Sequence, residues 1–152
     1  MLLRIDNLAN RLEDLDLIKQ WTTKGQTTDE IIGYLKHLSL DEKNKFFLPM
    51  VLVALLDEEP VGTITLSRKN NLVQSEDTPW ISNFFVVEEE RNKGIGTYMY
   101  NYMLEEALTM EINILYTASN PSILLDKLGW VYKETAMTAY AEEINIYQIE
   151  ID

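Results

Sequence analysis

The stretch Val86 Val87 Glu88 Glu89 Glu90 Arg91 Asn92 Lys93 Gly94 Ile95 Gly96 Thr97 decides the fold of this chain, because it carries an apolar strand into a glycine-bearing turn and then into a helix. Two glycines let main-chain N–H groups converge on one point, Arg91 and Lys93 flank Asn92 with positive charge, and the helix that follows adds the positive end of its dipole. Such a turn suits an anion, a diphosphate in particular. The same two glycines also serve a plain tight entry into a helix, and the run alone does not choose between these readings.

Working outward, Trp80 to Val87 reads as the apolar strand that feeds the turn. Ile95, Met99, Met103, Ala107 and Met110 line one side of the helix after it, with Asn101, Glu105 and Glu106 toward water. Ile112 to Thr117 is then a short strand, and Pro121 to Lys127 a short helix stopped by Gly129, with Asn120 placed to cap it. Trp130 to Thr138 and Ile144 to Ile151 form a closing hairpin. Upstream, Met50 to Leu56 and Val61 to Leu66 form an antiparallel hairpin about the turn Asp57–Pro60, and Arg68 to Pro79 is a polar loop. Leu8, Leu12, Leu15, Ile18 and Trp21 recur at helical spacing up to about Gly25. Thr27 with Glu30 makes a capping box for a second helix carrying Ile31, Ile32, Leu35 and Leu38, with His37 near its end. The resulting order, β α α β β β α β α β β, is a mixed α/β fold in which strand, glycine turn, helix and strand make a right-handed crossover between parallel neighbours, with hairpins on both sides.

The chain has 152 residues, enough for one domain over 1–152 with a single core. It has no cysteine and one histidine, which removes thiolate chemistry, disulfides and a histidine cluster; no metal site is expected. The net charge of −12 repels nucleic acid and anionic membranes and favours cationic small molecules or basic peptides. An anionic ligand therefore needs short-range compensation from Arg91, Lys93 and oriented amides. Acidic residues close to Met1 and the lack of a long apolar run lead to the expectation of a cytoplasmic protein.

Arg91 Asn92 Lys93 Gly94 Ile95 Gly96 after the middle strand resembles the Arg/Gln-x-x-Gly-x-Gly/Ala signature of the GCN5-related N-acetyltransferase (GNAT) family. Thr78 Pro79 Trp80 Ile81, Leu115 Tyr116 Thr117, and Asp126 Lys127 Leu128 Gly129 Trp130, which is similar to Tyr-Glu-Lys-Leu-Gly-Phe/Trp, follow in the family's order. The likeness spans about the last two-thirds of the chain. It implies the acyl-CoA N-acyltransferase fold, a mostly antiparallel central sheet with a parallel pair at the splayed fourth and fifth strands and helices on both faces. It also implies acetyl-CoA as acyl donor, its diphosphate on Arg91, Asn92, Lys93, Gly94, Ile95, Gly96 and Thr97. The pantetheine arm would pair with the backbone of Phe85, Val86 and Val87, and Asn120 resembles the asparagine that bonds this arm. A bulge in the fourth strand would supply an oxyanion donor near Phe85 or Val86.

The implied reaction is transfer of the acetyl group to a primary amine by direct attack through a tetrahedral intermediate. Holding an amine of pKa ~10.4 neutral near pH 7 costs about 4–5 kcal/mol, so a base or a water relay is expected. Where relatives carry a glutamate nine residues before the arginine, this chain has Ser82, which can act only through a bound water, with Asn83, Glu76 or Asp77 nearby. At the position of the family's acidic tyrosine stands Leu125, and Tyr116, Tyr132 or Tyr140 would have to substitute; Tyr132 is the candidate taken here. The acceptor is then a small or peptide amine, cationic to suit the surface, and the open edge of the closing hairpin leaves room for a homodimer. The alternative is a catalytically degenerate acyl-CoA sensor.

Overall fold

The computed structural model describes residues 2–22, 48–70 and 72–152. Seven strands form one sheet: β1 (Leu3–Asn7), β2 (Met50–Leu56), β3 (Glu59–Ser67), β4 (Trp80–Val86), β5 (Ile114–Ser119), β6 (Val131–Met137) and β7 (Glu143–Glu150). Their spatial order is β1-β2-β3-β4-β5-β7-β6, antiparallel throughout except for the β4–β5 pair. The described α-helices are α1 (Leu15–Trp21), α2 (Ile95–Thr109) and α3 (Ile123–Lys127).

Strand β2 shows why the sheet is covered on both faces. Its sequence Met-Val-Leu-Val-Ala-Leu-Leu is apolar at every position, and alternate residues enter different cores. Met50, Leu52 and Ala54 join Ile95, Met99, Met103 and Ala107 of α2, whereas Val51, Val53 and Leu55 join Leu8, Leu15 and Ile18. Met99 and Met103 are fully buried, which contributes roughly 1.5–3 kcal/mol each. The β2–β3 hairpin turns on Asp57 and Glu58 alone, both with positive φ, and Arg4 ties Glu58 down through a 2.8 Å ion pair.

Three expectations need correction. The apolar run from Leu8 to Trp21 is not one helix: Leu8–Asn10 and Leu12–Asp14 are single 3₁₀ turns, and only Leu15–Trp21 is α-helical. The Asn7 side chain caps the first turn by accepting from Ala9 N at 2.9 Å, and Arg11 at φ −134°, ψ 49° breaks the chain direction, so a spacing of three to four served two turns and a helix alike. The cap of α3 is Ser122, whose hydroxyl accepts from Leu125 N at 3.2 Å, rather than Asn120, because the helix starts at Ile123. The loop before β4 is not wholly solvated, since Val73 is buried with Trp80, Tyr116 and Ile146 under that half of the sheet. The expected second helix with Thr27, Glu30 and His37, and the stop at Gly25, lie outside the described residues.

Candidate functional site

The parallel pair β4–β5 is short. Trp80 pairs with Tyr116 and Ile81 with Thr117, fixed by Tyr116 N donating to Pro79 O at 3.1 Å and Thr117 Oγ1 to Ile81 O at 2.9 Å. Beyond Ile81 the two strands part, and at that point β4 carries a bulge. Thr65 pairs with Ser82 and Thr63 with Phe85, so β3 contributes only Ile64 where β4 contributes Asn83 and Phe84, with Asn83 at φ 52°. The extra residue exchanges the faces of the two rings that follow: Ile81 lies in the α2 core, so plain alternation would bring Phe85 to that side, yet Phe84 packs 4.8 Å from Tyr100 of α2 and Phe85 stacks 5.3 Å from Trp21 of α1.

Where the strands part, a cleft of about 730 Å³ opens. One wall is the glycine turn: Glu90, Arg91, Asn92, Gly94, Ile95, Gly96 and Thr97; β4 contributes Phe84, Phe85 and Val86; a second wall is Ile123, Leu124 and Lys127 of α3. Gly94 sits at φ 86° as the residue before α2, with no side chain capping the helix and no acidic residue in its first turn. The first intrahelical bond is Tyr98 N to Gly94 O at 3.0 Å, which leaves the earlier N–H groups of the helix without helical acceptors. Uncapped amides at a helix start, with the dipole behind them, form an anion cradle. Gly96 is required by packing as well: a Cβ there would lie 2.9 Å from the Phe84 ring.

The cations of the turn are less free than the sequence suggests. Arg91 Nε donates to Val86 O at 2.7 Å and its guanidinium carbon lies 5.4 Å from the Phe85 ring centroid, so Arg91, Phe85 and Trp21 form one column. Lys93 lies outside the cleft lining and binds Glu90 Oε2 at 3.1 Å. It thereby neutralises a carboxylate that does line the cleft. Of the backbone groups expected to meet a pantetheine arm, Val86 O already accepts from Arg91, with a second lone pair left, and Val87 N donates to Val61 O at 2.8 Å.

The remaining candidates are dispersed. Ser82 is half-buried on β4 and does not line the cleft, nor does Asn120, which is exposed. Asp77 is held by an ion pair with Lys133, whose ammonium also lies 5.2 Å from the Tyr116 ring centroid; the carboxylate hydrogen bond raises the Lys133 pKa, and Glu76 is exposed. Tyr132 is 53% exposed on the edge strand β6, its hydroxyl 2.7 Å from Thr135 Oγ1, away from the cleft lining. Tyr116 is buried against Trp80, and Leu125 is buried in the core beneath α3. The sequence reading missed Phe84, Glu90, Ile123, Leu124 and Lys127. The alternation of β4 pointed Phe84 one way and the bulge another, whereas Lys127 could have been found from its place in the Asp126–Trp130 motif. Among the described residues there is no cluster of His, Asp and Glu suited to a metal, and no helix is long and apolar enough to cross a membrane.

A splayed parallel pair, a bulge at the parting and an uncapped helix start meet at one cleft within a mixed α/β sheet. The family model of the acetyltransferase (GNAT) family matches residues 9–130, and the chain belongs to that family. Solved structures with the same fold include the Salmonella typhimurium protein yncA with its cofactor acetyl-CoA (15% identity, TM-score 0.69, covering 99% of this chain and 94% of that one). An aminoglycoside 6'-N-acetyltransferase complexed with coenzyme A is similar at 13% identity and TM-score 0.67, over 100% and 98% of the two chains. The IAA acetyltransferase of Bacillus cereus is similar at 15% identity and TM-score 0.66, over 99% and 100%. No curated protein sequence matches the chain.

Proposed function

We propose that this chain, acting as one cytoplasmic domain over 1–152, transfers the acetyl group of acetyl-CoA to a primary amine, small or peptidic and cationic. The observation that carries the reading is the coincidence, at one point of the sheet, of the β4–β5 parting, the Asn83–Phe84 bulge and the uncapped start of α2. Bound acetyl-CoA supplies a thioester; the amine nitrogen forms the new amide bond, the carbon–sulfur bond breaks, and the amine proton ends on the thiol or on solvent.

The residues then divide the work. Amides from Gly94 to Thr97 hold the diphosphate, with Arg91, Asn92 and Lys93 shaping the turn. The bulge frees backbone donors of β4 to face a developing oxyanion, a form of stabilisation worth roughly 2.7–4 kcal/mol per donor in acyl transfer. The bulge position favours Phe84 as that donor over the downstream Phe85 and Val86. Phe85, held between Trp21 and Arg91, fixes the direction of β4 at the parting. Ser82 is left to position a water for proton removal without a carboxylate partner, since Asp77 is bound to Lys133.

The test is acetyl-CoA-dependent thiol release across polyamines, aminoglycosides, amino acids and peptide N-termini. Turnover with any of them supports the assignment; tight acetyl-CoA binding with no turnover would favour a sensor instead. That second reading has one observation behind it: Leu125, buried in the core, occupies the position of the family's acid. General acid catalysis is worth about 10²–10⁴-fold, so its loss would slow transfer without abolishing it.

A further inference from the structure

We propose that Lys127 reads the 3'-phosphate of coenzyme A and so makes the chain discriminate coenzyme A from its 3'-dephospho form; this rests on the acyl-CoA reading above. Among the described residues, the lysines and arginines that line the cleft are Arg91 and Lys127. Arg91 is bent back onto Val86 O at 2.7 Å and over Phe85, and Lys93 is turned to Glu90 at 3.1 Å outside the lining. Lys127 has no hydrogen-bond or ion-pair partner among the described residues, is exposed, and lines the cleft from α3.

The two walls therefore offer different chemistry. The helix start presents several fixed amides, which suit a diphosphate embedded between two other groups of the ligand. A terminal phosphomonoester carries more charge per group and is reached from any direction, which suits a mobile ammonium on a flexible stem at the solvent rim. With a net charge of −12 and Glu88, Glu89 and Glu90 leading into the turn, a second anionic group would be repelled unless a cation met it locally. Among the described residues, Lys127 is the unengaged cation at that place.

The experiment measures binding of coenzyme A and of 3'-dephospho-coenzyme A to the full chain and to Lys127→Met and Lys127→Arg, by calorimetry at low and moderate salt. The wild type is expected to prefer coenzyme A by roughly three- to fivefold at low salt, less as salt rises, the scale of an exposed charge contact. Lys127→Met should bring coenzyme A down to the dephospho form while leaving the dephospho form within about twofold, and Lys127→Arg should restore most of the preference. Equal weakening of both ligands would overturn the proposal by moving Lys127 to the diphosphate, and an unchanged preference would overturn it outright. Failure of the wild type to bind either ligand would take down the acyl-CoA reading and this inference with it, a result distinct from the other two.

Discussion

The two walls of the cleft are built on opposite principles. The turn wall, Glu90 to Thr97, presents backbone: its glycines set the amide directions, and its cations are engaged within the chain, Arg91 by Val86 O and Lys93 by Glu90. The α3 wall presents side chains, two apolar (Ile123, Leu124) and one ammonium (Lys127) without a partner among the described residues. A backbone wall tolerates few substitutions and recognises a common ligand fragment, whereas a side-chain wall is free to change and to set preference. Substitutions on the turn wall should therefore act strongly, and those elsewhere weakly.

The largest effect is expected at Gly96. A Cβ there meets the Phe84 ring at 2.9 Å and Leu124 at 3.5 Å, so Gly96→Val presses on β4 and on the α3 wall at once. We expect coenzyme A affinity to fall by on the order of 100-fold and stability by about 1–3 kcal/mol, the usual range for overpacking. Gly96→Val combined with Phe84→Ala should regain part of the stability; if it regains none, the ring is not what Gly96 accommodates.

Gly94 separates backbone from packing, because a Cβ at Gly94 would touch nothing within 4 Å while its φ is 86°. Gly94→Ala should cost about 1 kcal/mol through the left-handed conformation alone and weaken coenzyme A binding about tenfold as the amides rotate. Ser122→Ala is its counterpart on the other wall: loss of the α3 cap also costs about 1 kcal/mol, yet binding should change less than threefold. Equal binding losses in these two variants, measured by calorimetry, would remove the distinction between the walls.

Glu90 and Lys93 give a smaller effect with a sign. Lys93→Met exposes the Glu90 carboxylate to the phosphates and should weaken binding two- to fivefold; Glu90→Gln should strengthen it slightly; and the double variant should return to near the wild type. A double variant as weak as Lys93→Met would mean that Lys93 touches the ligand itself.

These contrasts also explain what the sequence made legible. The sheet, its parallel pair and the helix after the turn were readable because each depends on long apolar periodicity or on glycines whose freedom only a few conformations use. Met50–Leu56 was read to the residue, since Pro49 precedes the all-apolar run and the acidic turn Asp57–Glu58 follows it. The 3₁₀ turns at Leu8–Asp14 were not, because a three-residue repeat and a helical one coincide over so short a stretch. Nor were the intramolecular partners of Arg91 and Lys93 legible: charge is visible in a sequence, but its partner is set by side-chain reach in three dimensions. The bulge fell one or two residues before Phe85 because β4 alternation cannot show where an extra residue is inserted, and with it Phe84 moved into the cleft.

The smallest effect at neutral pH lies behind the turn wall, at Tyr100. Its phenol is buried in the α2 core, 4.8 Å from Phe84 and 6.1 Å from Trp130 by ring centroids, and burial raises its pKa above the ordinary value near 10. Below pH 10 the phenol is protonated in both folded and unfolded chains, so its titration leaves stability unchanged. Above it, the unfolded chain loses the proton while the folded chain keeps it, and stability declines as pH rises toward the folded pKa. Tyrosinate absorbance at 295 nm should therefore show a late step in which tyrosine ionises as the chain unfolds, and Tyr100→Phe should reduce that step and flatten the alkaline loss of stability. If Tyr100 instead ionises in the folded state alongside the exposed tyrosines, water reaches the back of the turn wall. The glycine turn would then be a loosely backed loop, and its amides would no longer be fixed in direction before a ligand arrives.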